Sequence, residues 1–373
     1  HDALPIWDYT VTMTAADGVT WSPGATISDS NYGIMGKDTT KNATYSTLTA
    51  FSFGTGCALR EYSFTCCTGL TAIEIPDGVT ELPNYAFKLC TNLASITVPP
   101  SLRSGHAHTF HSTGSIASIR ISDLAAYCSM DWVVEDSVNI LCFPAVADPD
   151  IYLNGAKITG GPLVVPDGVT RIGNDVFANA TFTSVTLPDS VTSIGHGAFS
   201  SANKANPIPV FRLGANPISF AHDAFYSRDI SEVYAPSLEM WLRCTFDDTN
   251  AMLPGESSPA RASGATVYVN GVELAGNIEV PSTITTLHSL AFESRTGITA
   301  IWLHNTVDTI EVYSTIYSGA TLYLSPFYQC DSGCVVYCED ATDQSGWDVN
   351  WNSSNNGGSS LLSVVYGQTV RPW

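Results

Sequence analysis

Five times in this chain a proline is followed 11 residues later by a phenylalanine, and the residues between them follow one template. Pro76-Asp-Gly-Val79-Thr-Glu-Leu82-Pro-Asn-Tyr-Ala86-Phe87 is the clearest copy. Pro166 to Phe177, Pro188 to Phe199 and Pro281 to Phe292 repeat it, and Pro99 to Phe110 does so more loosely. Counted from Phe64 the pattern runs on through Cys67, Leu70, Ile73 and Ile75, and from Phe87 through Cys90, Leu93, Ile96 and Val98. Phe64, Phe87 and Phe110 are 23 residues apart, and Phe177 and Phe199 are 22 apart. Such a unit cannot fold alone. Its few apolar side chains contribute roughly 1.5–3 kcal/mol each when buried, whereas ordering its backbone costs about 1–2 kcal/mol per residue. Stacked copies bury a shared interior, so the period predicts a solenoid in the size range of leucine-rich repeats.

Within each unit the apolar-x-apolar pair before the proline alternates as a short strand does, with Ile73 and Ile75 inward and Glu74 outward. The proline then ends the strand, because it has no N–H for the ladder. Ser122 interrupts the period: Ser122 to Cys128 reads as a short helix with a Ser N-cap, and Ile151 to Ile158 as a hairpin around Asn154-Gly155. The same pair returns as Ser237 to Cys244 and Val267 to Leu274, with Asn154 and Asn270 116 residues apart. The expected organisation is a β-rich cap over 1–58, a solenoid over 59–338 and a closing cap over 339–373. The solenoid carries helix-plus-hairpin insertions at about 122–162 and 237–277.

Composition narrows the partners. Against 35 acidic side chains stand 15 Lys and Arg, a net charge of −20, a field that repels phosphate backbones and anionic membranes. The opening His1 follows no apolar leader, and no stretch is apolar for the roughly 18 residues a membrane span needs, so neither nucleic acid nor membrane insertion is expected. Ten cysteines are diluted over a long chain with its own core. Cys67, Cys90 and Cys330 share one template position, three residues after Phe, which favours buried thiols. A bond between Cys67 and Cys90 stays open at this stage. The spacing of Cys330, Cys334 and Cys338 lacks the paired knuckle of a zinc site.

The Pro-Asp-Gly-Val-Thr…Ala-Phe-x2-Cys-x2-Leu-x2-Ile-x-Ile-Pro unit resembles the BspA-type leucine-rich repeat. Asp123 to Cys128 with Tyr152 to Gly155, and Ser345 to Trp351, are similar to segments that accompany it in bacterial proteins. The resemblance covers roughly residues 59–355. It implies a secreted or surface-attached solenoid, with relatives implicated in adhesion, and no catalytic residues.

Chemistry is sparse. No Gly-x-Ser-x-Gly elbow, phosphate loop or His-Glu-x-x-His helix is present. His106, His108 and His111 are the densest titratable cluster and flank the turn at Phe110. Asp340, Asp343 and Asp348 match no calcium-loop spacing. Both clusters read as solvated turns, with no metal and no cofactor expected. Glu74 and Glu279 stand too many coils apart, at about 4.8 Å per coil, for paired-carboxylate glycoside hydrolysis. What remains is the outward stripe of the strands, where Trp302, Tyr234, Tyr337, Arg212, Arg120 and Glu279 carry the residue types that anchor interfaces. Trp302 is the leading candidate, and for Tyr234 two readings stay open: a binding residue, or a residue packed under the second helix and hairpin. The expected protein is a monomeric, non-enzymatic, extracellular or cell-surface module presenting a concave sheet to a protein or glycan. The alternatives are a display solenoid that binds nothing, or an atypical carbohydrate-active enzyme.

Overall fold

The computed structural model describes residues 13–15, 48–51, 59–132, 148–247 and 257–373, apart from 60, 62, 107, 114–115, 202–205, 261–264, 296, 318–319, 328–329, 331–332, 341, 349 and 353–361. Among these residues the fold is a β-solenoid of about ten turns built from short parallel strands. Most of the expected cap at 1–58 lies outside the described residues. The chain divides into two units, residues 1–159 with 174–180, and residues 160–173 with 181–373.

In the first unit the strands Ala72–Glu74, Ser95–Val98, Ser118–Ile121 and Asp150–Leu153 run parallel, with Ile73, Ile96, Ile119 and Ile151 in one cross-strand row. In the second, one sheet runs Pro162–Val164, Ser184–Thr186, Ile208–Arg212, Ile230–Ala235, Thr266–Val269. Another runs Gly276–Glu279, Ile298–Leu303, Val335–Cys338, Ser363–Val365. A second row of two-residue strands runs Arg171–Ile172, Ser193–Ile194, Ser219–Phe220, Thr245–Phe246, the first of them just after the Pro166-Asp-Gly168 turn. Between the two rows a serine ties turn to turn. Ser101 Oγ accepts from the Gly78 amide and donates to the Val79 carbonyl of the preceding coil, both at 2.9 Å. Ser190 does the same to Gly168 and Val169.

The template phenylalanines form the spine. Phe64, Phe87, Phe177, Phe199 and Phe292 are fully buried. Their rings stack on those of adjacent coils: Phe64 on Phe87 and Phe87 on Phe110 at 5.4 Å, Phe199 on Phe225 at 5.7 Å, Phe292 on Phe327 at 5.8 Å. The looser copies at Phe110 and Phe225 therefore pack as the others do. Each such corner also has a backbone signature. Every non-glycine residue with positive φ among the described residues lies two positions from one of these phenylalanines, as Tyr85 and Leu89 flank Phe87, or is the Asn of a hairpin turn. The left-handed residues alternate with the others so that successive odd amides reach the next coil: Tyr85 N–H donates to His108 O, Phe87 to Thr109 O and Leu89 to His111 O, at 2.9–3.2 Å. A left-handed L-residue costs about 1–2 kcal/mol, and none of these positions is β-branched.

Both expected helices are short, Leu124–Ser129 and Leu238–Leu242. The first N-cap is Asp123, not Ser122: its Oδ1 accepts from the Ala126 amide at 3.0 Å, while Ser122 lies outside the helix. Ser237 caps the second. Asn154-Gly155 and Asn270-Gly271 have the paired positive φ of type I′ turns. The hairpins do not leave the solenoid, however. Asp150–Leu153 and Thr266–Val269 are parallel rungs of their sheets, and only the two-residue returns Ala156–Lys157 and Val272–Glu273 are antiparallel. A hairpin outside the rungs occurs elsewhere, at Tyr313–Tyr317 with Ala320–Leu324. It lengthens the coil between Phe292 and Phe327.

The cysteines at the shared position are buried thiols. Cys90 Sγ donates to Phe64 O at 3.0 Å and Cys330 Sγ to Phe292 O at 2.8 Å, each reaching one coil back. Burial pushes the Cys90 thiol well above its ordinary value and the Cys330 thiol up to about 12, which keeps both donors protonated.

Two stability measurements test this account. Phe87→Ala lowers unfolding free energy by about 3–5 kcal/mol in denaturant melts; a loss below about 1 kcal/mol would place the ring outside the core. Leu89, with φ 60 and 37% exposed, is replaced by Asn with little cost and by Val at about 1–2 kcal/mol. Equal losses would mean that the left-handed corner is not what selects the residue.

Candidate functional site

Strand register places the outward residues in rows. In the first unit Glu74, Thr97, Arg120 and Tyr152 face one another across adjacent strands, and the exposed Arg120 guanidinium lies 5.0 Å from the Tyr152 ring centre. In the second unit the row is Val164, Thr186, Arg212, Tyr234, Tyr268. Arg212 stacks on Tyr234 at 4.0 Å, and Tyr234 on Tyr268 with centroids 4.8 Å apart and planes 13° apart. Tyr234 O–H donates to Glu232 Oε2 at 2.9 Å, a bond that holds the phenol's proton and raises its pKa. Arg212 is exposed and both tyrosines are half-buried. The second hairpin lies beside Tyr234 in the sheet. Its first strand extends the sheet and adds Tyr268 to the row. Tyr152 and Tyr268, 116 residues apart, were legible as the residue before each Leu-Asn-Gly or Val-Asn-Gly turn, but the hairpins were read as departures from the sheet.

The third row, Glu279, Trp302, Tyr337, Val365, is different. Trp302 is only 2% exposed. Alternation does put its side chain on the outward side of the strand, but the C-terminal segment folds across it. Trp373 packs edge-on against Trp302 at 6.3 Å and Tyr337 at 5.7 Å, and Arg371 pairs with Glu279. Gly367 and Gln368 amides anchor the segment on the carbonyls of Asp340 and Cys338. His304 sits between two carboxylates, Nε2 3.0 Å from Glu279 and Nδ1 2.9 Å from Glu339. Burial acts to raise the Glu339 pKa, but the Asn305 amide and His304 outweigh it and hold the carboxyl below its usual value. The buried Trp302 Nε1 makes no hydrogen bond, although its N–H is near enough to add to that effect. Trp302 is thus corrected from an open anchor to a covered one, with Tyr337 half-buried beside it.

The remaining candidates are engaged locally. His106 contacts Glu81 at 2.7 Å, while His108 lies tilted and His111 edge-on against Tyr85 and the two imidazoles stack on each other. Asp343 accepts from Tyr366 O–H, and Asp348 Oδ1 from the Asn350 amide. No described helix is long and apolar enough to cross a membrane.

Six copies of the BspA type leucine rich repeat region match residues 45–130, 160–251 and 270–322, more than half of the chain. The chain belongs to the BspA-type leucine-rich repeat family. These solenoids are typically non-enzymatic. Among solved structures, this BspA-type chain is similar to a leucine rich cell surface protein from Faecalibacterium prausnitzii A2-165, at 17% identity, 82% of this chain, 62% of that one and a TM-score of 0.28. It is also similar to a leucine-rich repeat protein from Bacteroides ovatus ATCC 8483, at 14% identity, 66% and 76% coverage and a TM-score of 0.26. The BspA-type chain thus spans under two thirds of the Faecalibacterium protein's length. No curated protein matches it.

The covering segment can be tested through the eight tryptophans. Trp373→Ala makes the remaining indole fluorescence more quenchable by acrylamide, and the increase disappears when Trp302→Phe is added. No increase would show that residues 367–373 do not shield the row.

Proposed function

We propose that this repeat region is an extracellular or cell-surface, adhesin-like binding module that engages a host protein or glycan through the Arg212–Tyr234–Tyr268 row and performs no chemistry. The observation that carries this reading is the row itself. Three large side chains are pre-stacked on a parallel sheet, with Arg212 exposed and both tyrosines half-exposed. Pre-stacking lowers the entropy lost when a ligand orders them, and Tyr and Arg are the types that dominate interface energies. Placement outside the cell is supported by membership of the family. The net charge of −20 favours neutral or basic partners over anionic ones. Arg120 over Tyr152 offers a smaller copy of the same surface in the first unit. Glu279 and Tyr337 take no part, because the C-terminal segment engages them.

That cover favours the second reading, a display solenoid that separates other elements and has no ligand of its own. The two are separated by binding of the purified chain to arrays of extracellular matrix proteins and polysaccharides, beside a Tyr234→Ala, Tyr268→Ala variant of equal thermal stability. The binding reading expects a hit that the variant loses by about 2 kcal/mol or more. Equal binding by both chains moves the ligand off this row, and no binding by either supports display.

A further inference from the structure

His196 and His222 each stand three residues before a template phenylalanine, Phe199 and Phe225. The parallel pairing of Ser193 with Ser219 and Ile194 with Phe220 continues two residues on to set His196 opposite His222. The Ala221 amide, which donates to Ile194 O at 2.9 Å, fixes that register at the site. The two rings come within 4.5 Å, centre to centre. Asp223 follows in the left-handed corner position, φ 54, which turns its carboxylate back toward the preceding coil. Its Oδ2 lies 3.8 Å from His196 Nε2, and one ligand atom from each of the three residues lies within 4.8 Å of the other two.

Two features separate this trio from a solvated histidine stack. The Asp223 side chain is only 6% exposed and lies beside His196, so the carboxylate belongs to the packed turn and is not a solvated surface group. The two rings are also tilted at 58° to each other instead of lying flat as a stacked pair does. His108 and His111 stack more loosely, at 5.8 Å, and converge on no buried carboxylate. Imidazole nitrogens beside a buried carboxylate form a donor set that a divalent transition metal takes.

We propose that His196, His222 and Asp223 form a zinc-type metal site that ties two adjacent coils together and leaves a fourth position for water or an external ligand. Zinc bonds of 2.0–2.2 Å put tetrahedral ligand atoms about 3.3 Å apart, so closure asks for side-chain rotation of about an ångström and no change in coil register. Calcium and magnesium are excluded by the donor set, since both demand cages of oxygen. Imidazole with one carboxylate suits zinc, nickel or copper. The His196 side chain, 34% exposed, gives the ion a way in from solvent. The acidic surface concentrates cations around the chain.

The test is calorimetric titration of zinc chloride into the tag-free full chain after chelator treatment, with calcium chloride as the counter-probe. Wild type takes up one equivalent of zinc with a raised melting midpoint, and calcium produces neither effect. His196→Gln with His222→Gln, and separately Asp223→Asn, weaken zinc binding at least 100-fold. Each is compared with wild type by metal-free melting, so that if one fails to fold the other still reports. His106→Gln with His108→Gln leaves binding unchanged. The proposal is overturned if wild type binds no zinc, if the folded variants bind it equally, or if the loss follows His106 and His108 instead.

Discussion

Everything in this fold hangs on the corner at which a phenylalanine N–H reaches a carbonyl of the next coil while its ring lies on the next ring. Phe87 does both, to Thr109 O at 2.9 Å and to Phe110 at 5.4 Å. The amide ladder sets the coil spacing, and flat rings are the side chains that fill such a spacing without a void. At Phe87 the backbone is left-handed on both sides of the ring, and the bonds that Tyr85, Phe87 and Leu89 make to the next coil offset the cost of that conformation. Cys90 and Cys330 belong to the same economy: a small apolar side chain whose S–H satisfies a carbonyl one coil back. Ionisation or oxidation would remove that donor, which is why burial, rather than pairing, is the state that serves the stack.

Stacking also accounts for the unusual surface. A side chain at a given template position lies beside its counterparts on the coils above and below, at about the 4.8 Å strand spacing, so like charges there repel. Ser, Thr and Asn can instead hydrogen-bond in rows, as Ser118 does to Ser95 and Thr299 to Asn277. The 13% of charged residues follows from that geometry. Where charges do occur in a row they alternate with aromatic or opposite partners, as Arg120 with Tyr152, Arg212 with Tyr234 and Glu279 with His304 and Arg371.

Much of this was legible before any coordinates, because the interior is written by local alternation and a short period. Ile73, Ile75 and the phenylalanines fall where the template puts them, and the two Asn-Gly turns have the backbone that their residues require. Legibility fails where an element's meaning depends on its neighbour. Tyr152 and Tyr268 stand on strands without a template proline, so the hairpins read as excursions although their first strands are rungs. Trp302 fails for a longer-range reason. Alternation gives the side of the strand a residue leaves from, and it says nothing of a segment seventy residues later that folds back over it. His196 and His222 stand 26 residues apart and form no cluster in the sequence, because only register turns two positions into one site.

A stack of near-identical coils therefore makes function a matter of coincidence between copies. One tyrosine on a strand is an ordinary half-exposed side chain, whereas Tyr234 beside Tyr268 is a platform with Arg212 already laid on it. One histidine three residues before a corner is a turn residue, whereas His196 opposite His222, with Asp223 folded back beneath them, is a convergent set of donors. The solenoid supplies proximity at every position without selecting for it, since the backbone ladder would form whatever the outward side chains were. Chemistry then arises only where two adjacent coils depart from the neutral Ser and Thr background in the same place. By that criterion the second unit carries two such places, on its sheet from Val164 to Tyr268 and beside its row of short strands, and Arg120 over Tyr152 is a smaller one in the first unit.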